Sequence, residues 1–365
     1  MAEPLNRQFV LANFSLPIFP TDSVKKDAHV ETLRGLAIIL VVLGHMIGQS
    51  HTGGMRVSDD SFLRYLYYSL EYVRLPLFTV ISGWVYANKP AALGDRGKFL
   101  SGKLRRLLVP MFVISTMLFL FRMIVPGTNT TPALVDLPRN LIFPYDVYWY
   151  LFSLFLIFVV ITFIDARLFF QRPGGWLIVV AASLLFLFIS ENFLDPIPNF
   201  FSFKGAAYLF PYFLLGIGIY RFPQHLLGKR TVLIAFFLFL AGIAVQQGIW
   251  FSNTPHQEKH SLLGMTVGFT ASLLLFKIPM KNALLVFIGS FAYTIFLFHV
   301  FFTGGSRIVL LRLGIDHQAI ILIAGVVMAI AFPIILDLLI RRIPVLRFYL
   351  LGLRKTPKPG IERAS

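Results

Sequence analysis

The apolar residues of this chain come in blocks, and the blocks are about as long as a bilayer is thick. Ten can be read along the sequence, at about 32–50, 62–87, 104–125, 147–164, 175–190, 204–220, 231–251, 261–277, 283–302 and 318–340. A helix needs about 20 apolar residues to cross a hydrocarbon core. Inside that core each span must satisfy its own backbone hydrogen bonds, which predicts helices. The blocks are too uniformly apolar for barrel strands, whose residues alternate. Composition agrees: 57% of residues are hydrophobic and 14% charged, against roughly 25% charged in soluble domains. The expected fold class is all-α, a polytopic transmembrane helical bundle of about ten spans.

The second block is polar at its start (Arg64, Glu71, Arg74), and Pro76 is expected to bend or break it. The chain has no cysteine, which removes disulfides, thiol nucleophiles and thiolate metal sites. The first 30 residues mix prolines and charges without an apolar core and do not read as a signal peptide. The division expected is a cytoplasmic segment over 1–30, a membrane domain over 31–340 and a basic cytoplasmic tail over 341–365.

A net charge of +16 invites a nucleic-acid reading. The distribution of the charge argues against it. With the N-terminus placed in the cytoplasm, 24 of the 33 Lys and Arg fall in inner segments, 6 in outer segments and 3 within spans. That bias runs the same way in nearly every loop and is the positive-inside pattern of a membrane protein. Both termini are therefore expected in the cytoplasm. The partners expected are membrane lipids, and no nucleic acid.

Several polar residues fall where lipid would not tolerate them. Arg34 begins the first span and His45 lies eleven residues on. Eleven residues make about three turns and roughly 16 Å of rise, so the two side chains share a face. Glu31 is three residues before Arg34 and can pair with it. A histidine halfway through a membrane helix marks a functional site or a hydrogen bond to a neighbouring helix. In the second span Arg74 must face the bundle interior, with Glu71 as its local partner. Ser82-Gly83 allows close approach of a helix or a ligand. The run Lys98, Lys103, Arg105, Arg106 is either a topology signal meeting lipid headgroups or a site for a phosphorylated ligand. Trp149 and Tyr150 open the fourth block, as an interfacial aromatic belt or as a platform for a sugar. Late in the chain, Tyr293 and His299 share a helix face, with His299 near the outer end.

Taken in order, these segments resemble the acyltransferase-3 family of membrane O-acyltransferases. The resemblance rests on Glu31, Arg34, Gly35 and His45, although the family's usual acid is Asp. It extends to Arg74, Phe78, Ser82 and Gly83, with Trp84 where Phe is commoner. Phe99, Arg105, Arg106 and Pro110, then Trp149 and Leu151, then Ser290, Tyr293 and His299 complete it. Length and the lack of an extra domain are similar to bacterial exopolysaccharide, xanthan-type, acetyltransferases.

The resemblance implies transfer of an acyl group, most often acetyl from acetyl-CoA, to a carbohydrate hydroxyl at the bacterial inner membrane. It implies a catalytic set of His45, Arg34 and Glu31, with His45 as general base or as the site of an acyl intermediate. The donor would be held by Arg74, Ser82, Lys98, Lys103, Arg105 and Arg106. The acceptor, an exopolysaccharide repeat unit free or lipid-linked, would meet Trp149, Tyr150, Tyr293 and His299. Asp136, Asp146, Glu191 and Asp195, in outer loops, could bond its hydroxyls. No metal is called for. Two other readings compete: a membrane transporter, and a non-catalytic subunit of polysaccharide assembly or export machinery.

Overall fold

The computed structural model describes residues 27–252 and 254–354. Most of the expected N-terminal segment, with Arg7, Lys25 and Lys26, lies outside them, as do Lys355, Lys358 and Arg363. Fourteen α-helices are described: α1 (Ala28–Ile47), α2 (Phe62–Asn88), α3 (Arg96–Lys103), α4 (Val109–Ile124), α5 (Trp149–Ile164), α6 (Pro173–Phe193), α7 (Phe203–Arg221), α8 (Pro223–Leu226), α9 (Lys229–Phe251), α10 (Leu262–Lys277), α11 (Ala283–Ser290), α12 (Ala292–Arg312), α13 (Gln318–Ile340) and α14 (Pro344–Leu351). There is no strand among the described residues.

Each of the ten apolar blocks corresponds to a helix or a helix pair. Eight helical stretches are long and apolar enough to cross a membrane. The other two spans are α2, whose buried arginines lower its hydropathy, and the shorter α10. The protein is a multi-pass membrane protein.

Local chemistry sets the helix ends. The Asp27 carboxylate accepts from the His29 and Val30 amides at the start of α1, and Ser61 and Ser261 cap α2 and α10 in the same way. Pro76 does not break α2, which continues as helix from Phe62 to Asn88. A π-helical turn, Leu104–Leu108, joins α3 to α4 and carries Arg105 and Arg106. Such turns interrupt the regular ladder and often accompany functional sites.

The ninth span departs from expectation. The helix breaks at Phe291, between α11 and α12, and α12 continues to Arg312 rather than ending near residue 302. Arg307, expected in an outer loop, is a helical residue only 3% exposed. Its guanidinium donates to the carbonyls of Gly54 (2.8 Å) and Gly127 (2.6 Å) and to the Asn129 side chain (2.5 Å). Loop carbonyls brought in by folding thus satisfy a charge that would otherwise end the helix.

The spans alternate in direction. One end of the bundle, the basic end, carries the start of α1, the α2–α3 connection, the α5–α6 and α7–α9 turns, and α14. There Arg221 grips Asp165 in a bidentate pair (2.7 and 2.8 Å), and Tyr86 donates to the same carboxylate at 2.9 Å. The opposite end carries pairs between His256 and Glu71 (2.8 Å) and between His260 and Glu191 (3.1 Å).

The core runs through α1, α2, α5, α7 and α12, where Leu33, Ile38, Leu77, Tyr150, Phe213 and Leu297 are buried. Helices α2 and α7 meet backbone to backbone at Gly83 and Gly216: a Cβ on either would collide with the other helix, at the Phe213 and Val80 carbonyls respectively. Helices α6, α9 and α13 line the periphery and leave Leu185, Phe188, Ile234, Phe237, Ile323 and Val327 exposed. An apolar girdle of that kind is what lipid covers.

Candidate active site

Among the described residues, three cavities in the bundle adjoin the polar residues singled out above. The largest of these three, about 880 Å³, opens at the basic end. Arg34, Ser82, Lys98, Lys103, Arg105, Arg106 and Tyr293 line it, and Asp337 is its buried acid. That carboxylate accepts from Thr294 Oγ1 at 2.5 Å and pairs with Arg341, so the net character of the cavity stays basic. Arg34 is held by Glu31, Nη1 to Oε1 at 2.6 Å. Glu31 is 4% exposed, and its Oε2 has no partner. Lys103 lies with Nζ 3.7 Å from the Phe158 ring centroid, a cation–π contact. Helix α14 and the residues after it close one side. Leu351 and Leu353 line the cavity, and Arg105 donates to the Gly352 carbonyl.

Two smaller cavities, about 290 and 80 Å³, lie towards the opposite end, and His45 lines both. The larger has Arg122, Asn129, Thr303 and Arg307 in its wall, beside apolar Leu118, Phe121 and Val300. Arg122 pairs there with Asp146. The smaller is lined by Arg74, Tyr67, Glu71, Trp149, Tyr150, Tyr208 and Lys259.

The Arg74 guanidinium lies against Gly44, where a Cβ would overlap its Nη1. It stacks 4.1 Å from the Tyr67 ring centroid. Arg74 is 8% exposed and its Nη1 has no hydrogen-bond partner. Glu71 does not partner it, being engaged with His256. Lys259, from the loop between α9 and α10, reaches over Trp149 with Nζ 4.7 Å from the ring centroid. Burial pushes the Lys259 ammonium below its usual range; Glu71 opposes the shift and Arg74 adds to it.

A partition of three aromatic rings stands between the basic cavity and the His45 cavities. Phe78, Tyr150 and Phe296 contact one another with centroids 5.3 to 6.2 Å apart. The basic cavity reaches Leu154 on α5, and the small His45 cavity reaches Tyr150, one turn away. One helical turn is about 5.4 Å, so the two spaces nearly meet.

These positions regroup the residues singled out in the sequence. Ser82, Lys98, Lys103, Arg105 and Arg106 share the basic cavity with Arg34. Arg34 and His45 share a helix but open into different cavities. Arg74 belongs with His45, not with the basic cluster, because Gly44 lets it cross α1 at that level. Trp149 and Tyr150 stand beside His45. Tyr293 sits in the basic cavity, where its hydroxyl donates to the Arg106 carbonyl. His299 lines none of the three cavities and packs behind His45, ring centroids 5.1 Å apart. The acids Asp136, Asp146, Glu191 and Asp195 each face a basic side chain, Arg139, Arg122, His260 and Lys204; Glu191, expected in an outer loop, lies in the last turn of α6.

Nothing in the sequence of its loop marks Lys259 as a site residue; only the fold brings it over Trp149. The buried arginines Arg64 and Arg307, by contrast, spend most of their donors on backbone carbonyls near the opposite end. Among the described residues, no group of three or more His, Asp or Glu side chains is placed to hold a metal ion.

Comparison with known proteins adds the family. The chain is similar to the nodulation protein NolL of Mesorhizobium japonicum, 26% identical over 202 residues, which is 54% of this chain and 48% of that protein. It is also similar to NolL of Sinorhizobium fredii, 24% identical over 201 residues, 52% of this chain and 48% of that one. The matches thus span about half the length of these relatives. No solved structure matches. The profile of the acyltransferase-3 family, described as an acyltransferase domain, matches residues 27–338, which takes in His45 and most of the lining of the three cavities but not Arg341, Leu351 and Leu353, and the chain belongs to that family.

Proposed function

We infer that this acyltransferase moves an acetyl group from cytosolic acetyl-CoA to a carbohydrate hydroxyl presented on the far side of the bacterial inner membrane, with both termini in the cytoplasm. The observation that carries the reading is the position of His45. It lies at the junction of two cavities, and the basic cavity opens from the other end of its own helix.

The basic cavity suits the phosphates of CoA. Arg and Lys hold phosphate by charge-assisted hydrogen bonds, and Lys98, Lys103, Arg105, Arg106 and Arg34 converge there. The volume of about 880 Å³ is in the range of cofactor-sized pockets. The pantetheine arm would run past Ser82 and displace the Phe78–Tyr150–Phe296 partition to bring its thioester to His45. The acceptor sugar would rest on Trp149, whose half-buried face Lys259 helps to border.

His45 then takes the proton of the attacking hydroxyl. The new C–O bond forms at the thioester carbonyl, and the Arg74 Nη1–H, unpartnered in the structure, stabilises the oxygen that becomes negative. The C–S bond breaks, and His45 returns its proton to the departing sulfur. Glu31 holds Arg34 at the donor end and takes no part at the reacting atoms. An exopolysaccharide repeat unit, lipid-linked while it is assembled, is the acceptor we favour.

Mass spectrometry of surface carbohydrate tests this. A deletion strain is expected to lose an O-acetyl group, restored by the wild-type chain and not by His45→Ala. An unchanged carbohydrate, or restoration by His45→Ala, would refute it. Thermal stabilisation of the purified protein by CoA tests the donor separately.

A further inference from the structure

His299 is fully buried in α12, and its two ring nitrogens have different surroundings. Nδ1 lies 2.8 Å from the Phe296 carbonyl and 3.1 Å from the Ile295 carbonyl. Both are acceptors, so Nδ1 must carry the hydrogen. The neutral ring therefore keeps its lone pair on Nε2, and that atom is buried with no partner. A buried acceptor left unsatisfied costs free energy, and such atoms in native structures call for a reason.

The neighbouring ring is His45, with centroids 5.1 Å apart and planes inclined by 45°. No hydrogen bond joins the rings in this structure. A modest rotation of His45 about its side-chain bonds would close the gap, and hydrogen bonds at catalytic sites often tighten only when substrate is bound. His299 lines none of the three cavities described, and the polar ring it packs against is that of His45.

We propose that His299 is a positioning residue for His45: its Nε2 accepts the N–H on one side of the His45 ring and so presents the other ring nitrogen, with its lone pair, to the acceptor hydroxyl. No proton passes to His299. The proton taken from the hydroxyl stays on His45 until the thiolate leaves with it. The carbonyls of Phe296 and Ile295 fix the His299 tautomer, as a carboxylate or carbonyl does for other base histidines. The proposal rests on His45 acting as the base.

Two measurements test it, on the purified full-length chain and on membranes of the deletion strain carrying each variant. The variants are His299→Asn, which keeps a donor near the Nδ1 position and loses the acceptor, His299→Gln, which places an acceptor near the Nε2 position, and His299→Phe. The first measurement needs no substrate. Diethyl pyrocarbonate labels His45, and the rate is read by peptide mass spectrometry. An acceptor on one nitrogen makes the other more nucleophilic, so labelling should slow about threefold or more in His299→Asn and His299→Phe and recover in His299→Gln. Equal rates in all four proteins would overturn the proposal.

The second measurement is transfer of labelled acetyl from acetyl-CoA into precipitable carbohydrate. His299→Asn and His299→Phe should lose about tenfold or more in rate at unchanged half-saturating acetyl-CoA, with His299→Gln within a few-fold of wild type. Full activity in His299→Asn, or no recovery in His299→Gln, would overturn the proposal while leaving His45 as base. An inactive wild type under these conditions would count against the acetyl-CoA reading instead, and the labelling rates would still decide the role of His299.

Discussion

The Arg74 guanidinium crosses the backbone of α1 at Gly44, one residue before His45. Only a residue without a Cβ leaves room for it there. The charge of α2 is thereby delivered to the histidine of α1, with Tyr67 beneath it. Gly44→Ala is expected to displace the guanidinium and cut transfer about as much as Arg74→Ala does, on the order of 10²–10³-fold, the usual loss for one oxyanion donor. The check is a double-mutant cycle: Gly44→Ala made in the Arg74→Ala background should cost little more.

His45→Ala should lower transfer by about 10²–10⁴-fold, the range of general-base contributions, while CoA still raises the thermal midpoint. Acyl transfer and CoA binding measured on one preparation separate these effects, and loss of both would place His45 in the donor site.

At the basic end, Arg105→Gln combined with Lys103→Gln is expected to raise the half-saturating acetyl-CoA concentration. Each hydrogen bond to a charged group contributes about 1.5–3 kcal/mol, so the rise should be at least about tenfold. The rate at saturating donor should change far less. A titration of rate against acetyl-CoA reads this directly, and a fall in saturating rate alone would contradict the assignment.

Lys259 supplies the pH dependence. Burial lowers its pKa below the ordinary lysine range, so its charge is lost earlier as pH rises. If the ammonium helps to hold the acceptor over Trp149, transfer falls on the alkaline side, and Lys259→Arg, whose charge persists, should extend the plateau upward. Stability runs the other way. Between the lowered folded pKa and the unfolded one, the unfolded chain binds more protons, so raising pH through that window stabilises the fold. Rate and thermal midpoint followed across the alkaline range in both proteins check the two signs.

Asp165→Asn should destabilise the bundle while leaving the arginines and lysines of the basic cavity in place, Tyr86 being its one partner in the cavity wall. Its carboxylate takes two bonds from Arg221 and one from Tyr86. Removing one partner of a buried pair costs about 3–5 kcal/mol because the other charge is stranded. A lower thermal midpoint, with unchanged half-saturating acetyl-CoA in the surviving protein, is the expected result.

The spans were legible because lipid imposes a local rule: α5, α6, α9 and α13 are apolar over nearly their whole length. The same rule misread α12. Thr303-Gly304-Gly305-Ser306-Arg307 looks like a span ending, and only carbonyls from two distant loops, at Gly54 and Gly127, let the helix continue. The spacing of Arg34 and His45 gave their common face but not the cavities they serve, since 16 Å of helix separates them. The placement of Arg74 depended on a glycine in another helix, and that of Lys259 on a loop folding back over Trp149. Neither relation has a local signature.

The basic cavity draws its walls from both ends of the described chain, Arg34 near its start and Leu351 and Leu353 near its close. At Gly352 the backbone turns left-handed (φ 61°), and a Cβ there would strike the Arg105 carbonyl. Arg105 and Gly352 stand 247 positions apart in the chain, so this wall exists only once the helices between them have packed. A cut that released the segment after Ile343 would leave the basic cavity open on one side while His45 and its neighbours stayed in place.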